Sequence, residues 1–195
     1  MSEVARAIGP GYGGSCFQKD ILNLVYLCGH YCLHEVAAYW QQHRISTLVV
    51  RRLFGTVTGK RIAVLGFAFK ADTNDTRKTP AIRICRDLLE EGAQLAIFDP
   101  KVSAEQIAAD LGVEALVGSE GEGVWKPVVD PCAAVCGADA VLLLTEWQQF
   151  RQLDWPALAA EMRQPAWLFD ARAVADAAAA RAAGLRVGVG GEGEG

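Results

Sequence analysis

The sequence predicts an α/β fold: a parallel sheet with helices on both faces, preceded by an α-helical connecting segment. Three observations carry this. Short apolar runs recur within 61–66 (after Arg61), 95–98, 140–144 and 167–169, each too short for a helix and lacking the alternation of a half-wet strand. Segments with helix start and stop signals separate them. The 195-residue chain is 51% hydrophobic and 22% charged, which suits a soluble domain with a sizeable core.

Taken in order, Ile62-Ala63-Val64-Leu65 forms the first buried strand. Pro80 stands where proline is tolerated, at a first helical position, and Gly92 suits the C-terminal cap of that helix. Leu95 to Phe98 is the next strand, stopped by Asp99-Pro100. A helix from Ser103 ends near Gly112. Beyond a loop rich in Gly and Glu at 118–123, Pro131 starts a short helix, and 140–144 is a third clear strand. A helix over 155–162, a strand over 167–169, an Ala-rich helix and Leu185-Arg186-Val187 complete the series. Repeated strand–helix units of this kind build a parallel sheet.

Three regions follow. Residues 1–58 are a helical segment, with the stretch 35–58 reading as a connecting helix that packs on something large. Residues 59–188 are the sheet domain, and 189–195 are a disordered tail. Trp40 reads as a packing anchor.

Net charge is −4, so there is no basic footprint for nucleic acid or an anionic membrane. The longest apolar stretch, 138–145 interrupted by Asp139, is too short to span a bilayer, and the first residues lack a secretion signal. The expectation is a cytoplasmic protein. Six cysteines in an unsignalled chain of this size do not imply a disulfide framework. Cys28, His30, Cys32 and His34 sit close together, but the two Cys share one helical face and the two His another, so no metal site is expected. Cys132 and Cys136 read as packing residues in a short helix, and Cys85 sits in the middle of another.

The most informative run is Gly13-Gly14-Ser15-Cys16-Phe17-Gln18-Lys19-Asp20. It reads as a glycine turn that opens a helix. Phe17, Ile21, Leu24, Val25 and Cys28 form its apolar stripe; Cys16, Lys19, Asp20 and Asn23 share the other face. The helix dipole and Lys19 both favour thiolate at Cys16, and Asp20 is placed to hold a water or a substrate hydroxyl. The glycines let a ligand approach the backbone. Residue chemistry alone leaves two readings of Cys16, a small packing residue and a nucleophile.

The first strand–helix turn does not carry a dinucleotide fingerprint: Gly66 is followed by Phe67-Ala68-Phe69-Lys70, with two rings where glycines are needed. Ligands of open sheets bind beyond the carboxyl ends of the strands. There Phe69 can stack on a base and Lys70 can meet a phosphate, while solvated loop cations remain the other reading of Lys70 and Arg77. Arg172 follows the strand end Phe169-Asp170 on the same side.

The run from Gly11 to Asp20, continued by Leu22-Asn23-Leu24-Val25-Tyr26-Leu27-Cys28, resembles the active-site segment of UDP-glucose 6-dehydrogenases of the eukaryotic type. Further matches are Tyr39-Trp40-Gln41-Gln42, Ile62 to Lys70, Asp72-Thr73-Asn74-Asp75-Thr76-Arg77, Phe98-Asp99-Pro100-Lys101-Val102, Thr145-Glu146-Trp147 and Phe169-Asp170-Ala171-Arg172. The resemblance implies a Rossmann-like sheet that binds UDP-glucose, oxidation of the sugar to UDP-glucuronate with NAD as acceptor, and a homo-oligomer. It implies Cys16 as nucleophile and Asp20 as organiser of water. Gly11, Tyr12, Gly13, Phe17, Phe69, Lys70 and Arg172 match substrate contacts; Lys19 and Arg77 match positions on the cofactor side. The match corresponds to about the C-terminal half of such enzymes, without their NAD-binding domain and with two internal gaps. On this footing the chain by itself is expected to be an inactive part. A non-catalytic sugar-nucleotide or subunit-association module, and a dehydrogenase for another nucleotide sugar, remain alternatives.

Overall fold

The computed structural model describes residues 45–77, 79–115 and 124–189. Gly11, Tyr12, Gly13, Cys16, Phe17, Lys19 and Asp20 lie outside the described residues, as do Trp40 and the Cys28–His34 cluster.

Helix α1 spans Ile45–Arg52. It is followed by β1 (Arg61–Leu65), α2 (Pro80–Glu90), β2 (Gln94–Phe98), α3 (Ala104–Leu111), β3 (Trp125–Pro127) and α4 (Pro131–Val135). Then come β4 (Ala140–Leu143), a 3-10 turn (Gln148–Gln152), α5 (Trp155–Ala160), β5 (Trp167–Asp170), α6 (Ala177–Ala182) and β6 (Arg186–Val189). The six strands form one sheet in the order β3-β2-β1-β4-β5-β6, every pair parallel. This is the doubly wound Rossmann order, whose direction reverses between β1 and β4.

The central strands explain their own composition. Ile62 to Leu65 of β1 and Ala140 to Leu143 of β4 are all fully buried, because helices cover both faces. On one side α1 packs on α2 and α2 on α3; on the other α4 packs on β1, β2 and α5, and α5 on α6. Ser46 Oγ of α1 donates to Asp87 Oδ2 of α2 at 2.8 Å, fastening the connecting helix to the sheet domain.

The helix starts follow the sequence signals. Thr79, Ser103, Asp130, Asp154 and Asp176 each accept from a backbone amide in the first turn of the helix they precede. Gly112 ends α3 in the left-handed region at φ 72°, donating to Ala108 O at 2.8 Å.

Four expectations need correction. The helix expected through residue 58 stops at Arg52, where Phe54 and Gly55 take positive φ and the Gly55 amide caps Val50 O at 2.9 Å. The helix expected over 155–162 ends at Ala160. Val189, assigned above to a disordered tail, belongs to β6 and pairs with Asp170 of β5; the rest of that tail lies outside the described residues. Cys132 and Cys136 are exposed, not packed, whereas Cys85 is buried. Strand β3 is also absent from the sequence reading. It has three residues, ends in Pro127 and is an edge strand, where proline is tolerated.

Candidate functional site

Register brings the candidate residues together. Leu65 is level with Phe98 of β2 and Leu143 of β4, and Leu143 with Asp170 of β5. The loops that carry Gly66 to Lys70, Asp99, Thr145 to Trp147 and Arg172 therefore leave the sheet side by side at its carboxyl end, around the reversal between β1 and β4.

Phe69 is half-buried and Lys70 is exposed. Arg172 is largely covered, with 18% of its side chain exposed. Its Nε donates to Leu144 O at 3.0 Å and its Nη2 to Phe69 O at 2.9 Å. Glu146 Oε2 lies 3.2 Å from the same Nε, a charge contact beside a hydrogen already donated elsewhere. Asp170 holds the backbone around Arg172, accepting from Arg172 N at 2.9 Å and Ala175 N at 2.8 Å. The guanidinium thus ties the ends of β4 and β5 to the turn after β1.

Arg77 sits apart on an exposed loop, its side chain 88% accessible. It donates from Nε and Nη2 to both oxygens of Asp75, each at 2.9 Å. This fork holds the Asp75 carboxyl down at about 2 and raises the Arg77 guanidinium above its usual range. Among the described residues, Phe69, Lys70 and Arg172 converge on one loop cluster. Phe69 N donates to Asp75 O at 2.8 Å, which joins the Arg77 loop to it.

Sequence reasoning did not find the role of Asp99. Its Oδ2 accepts from Phe67 N at 2.7 Å, Ala68 N at 3.0 Å and Trp147 Nε1 at 3.2 Å. Its Oδ1 accepts from Lys101 N at 2.9 Å and Val102 N at 3.0 Å. Lys101 in turn places its ammonium 5.9 Å from the Trp147 ring and donates to Asp72 O at 3.2 Å.

These bonds decide how a dinucleotide such as NAD fits this sheet. A pyrophosphate cradle needs open backbone amides after the first strand and a tight turn into a helix. Here Gly66 N donates to Phe98 O at 2.8 Å, and the next three amides go to Asp99 and Asp75. The following helix begins only at Pro80. The described sheet does not fit a dinucleotide. Gly188, Gly190 and Gly193 do stand at fingerprint spacing, but Gly188 lies inside β6, where an added Cβ would come 3.0 Å from the Phe169 ring. Among the described residues no group of three His, Cys, Asp or Glu is arranged to hold a metal.

Residues 63–177 match the profile of the UDP-glucose/GDP-mannose dehydrogenase family, UDP binding domain, over more than half of the chain. The chain belongs to this family. The UDP-glucose 6-dehydrogenases of Drosophila melanogaster and Gallus gallus are 47% and 46% identical to it across 90% of its length. It spans 42% and 40% of those two proteins. A solved UDP-glucose dehydrogenase from Pyrobaculum islandicum aligns over 92% of this chain and 37% of its own, with a TM-score of 0.59 at 28% identity. An NDP-N-acetyl-D-galactosaminuronic acid dehydrogenase from Methanosarcina mazei, at 21% identity and TM-score 0.60, shares the fold. The matched stretch runs from Ala63 in β1 to the first residue of α6 and so takes in five of the six strands, all but β6.

Proposed function

We propose that the carboxyl end of this sheet binds the UDP group of UDP-glucose, and that the chain supplies the substrate half of a UDP-glucose 6-dehydrogenase. The observation that carries the reading is the overlap of the family's UDP-binding profile with the strand ends that gather Phe69, Lys70 and Arg172. Phe69 offers a half-buried ring for the uracil, and Lys70 an exposed ammonium for the diphosphate. Arg172, held by two carbonyls, fixes the shape of the turn that carries both.

The chemistry belongs to Cys16, with Gly11, Tyr12, Gly13 and Phe17 lining the sugar. Its thiolate adds to an aldehyde at the sugar C6 and, once hydride transfer has raised the adduct to the acyl level, leaves as water attacks. Asp20, four residues on in the sequence, orients that water. Oxidation needs a hydride acceptor, and the sequence resemblance names NAD. Because the described sheet does not fit a dinucleotide, that acceptor is held elsewhere, with Lys19 and Arg77 on its approach. The reading also carries a cytosolic homo-oligomer; no helix among the described residues is long and apolar enough to cross a membrane.

Mapping amide shifts with UDP-glucose tests the location. The proposal expects changes at Phe69, Lys70 and Arg172. Changes confined to the opposite end, at Arg61 and Arg186, would refute it.

A further inference from the structure

Asp99 stands just past the second strand, where dinucleotide-binding sheets place an acid against the ribose. Its carboxylate is already engaged by five donors from its own chain. All five are donors, and the two carboxylate oxygens supply the acceptors for them. Two of the donors, Phe67 N and Ala68 N, are the amides that a pyrophosphate would use. The turn is sutured from a third side as well: Thr145 Oγ1 donates to Ala68 O at 2.7 Å.

We propose that Asp99 is the positioning and specificity-determining residue of this sheet. It closes the turn after β1 to dinucleotides and holds Phe69 and Lys70 in the form that receives a nucleoside diphosphate. The second half of this statement rests on the function proposed above; the first does not.

The two halves separate in one experiment on the full chain. Hydrogen exchange of the wild type should show Phe67 and Ala68 amides protected like those inside β1, and titrated NADH should give no fluorescence transfer from tryptophan. In Asp99→Ala, Phe67 and Ala68 should exchange at least tenfold faster while Gly66, bonded to Phe98 O, stays protected. A general loss of stability would instead speed all three alike. UDP should bind the variant at least tenfold more weakly, and Asp99→Asn, which keeps one acceptor oxygen, should fall between.

The proposal is overturned if the wild-type amides exchange like open loop amides or if NADH binds in competition with UDP. It is also overturned if Asp99→Ala leaves the two amides protected, or frees them without weakening UDP. Should Asp99→Ala fail to fold, the wild-type exchange and NADH results still decide closure. Absence of UDP binding to the wild type would remove the function proposed above and the second half with it, leaving closure to the amide data.

Discussion

The Nη2 of Arg172 donates to the carbonyl oxygen of Phe69 at 2.9 Å, joining residues 103 apart in sequence. Through it the end of β5 fixes the turn after β1, two loops that the strand order places on either side of β4. Because the same guanidinium also reaches Leu144 O, three adjacent strand ends share one cation.

Arg172→Lys should expose the value of that fork. A lysine ammonium is a point donor and does not hold both carbonyls in a plane. Losing one part-buried bond of this kind should lower stability by about 1–2 kcal/mol and weaken UDP binding. Urea unfolding and calorimetry read the two effects.

Gly66→Ala should be more damaging. Gly66 has φ 93°, and an added Cβ would lie 2.5 Å from Thr145 Cβ. Strain and overpacking together should cost about 2–4 kcal/mol. A shift of the urea midpoint worth less than about half of that would mean that the β1 turn and the Thr145 loop are not in contact.

The Asp75–Arg77 fork makes a pH prediction. Asp75 is lowered from 3.8 to about 2 by the hydrogen bonds and charge of Arg77. A depressed carboxylate contributes stability above its unfolded value and loses it as pH falls through its folded value. The fork should therefore persist down to about pH 2, while the stability it contributes should fall away between about pH 4 and 2. Carbon-13 titration of the Asp75 carboxyl should show its midpoint near 2, returning towards 3.8 in Arg77→Ala. An unchanged midpoint in that variant would remove the fork in solution.

Thiol labelling tests the helices. Cys85 is fully buried in α2, and desolvation pushes its thiol far up, so it should resist iodoacetamide at pH 8 until the protein unfolds. Cys132 and Cys136 are exposed at α4 and should label in the native state. Peptide mapping by mass spectrometry distinguishes the three.

What could be read from the sequence was what is local. Apolar runs and the Pro80, Ser103, Pro131 and Gly112 signals placed strands β1, β2, β4 and β5 and their helices, because burial on both faces and capping leave marks within a few residues. Strand β3 left none: it is three residues long, its Lys126 is exposed and its register comes from β2. Phe69, Lys70 and Arg172 were legible as residues just past strand ends. The role of Asp99 was not, because its donors come from residues 67–68, 101–102 and 147, which only the fold assembles. Cys132 and Cys136 misled because a short helix with Pro131 and Ala133 looks apolar whichever face is buried.

Calorimetric titration of the chain with UDP-glucose, UDP and ADP tests the central claim most directly. The account predicts that UDP-glucose and UDP bind and ADP does not, as the uridine diphosphate site proposed above at Phe69, Lys70 and Arg172 requires. Equal binding of ADP, or no binding of UDP by a chain shown to be folded, would contradict it.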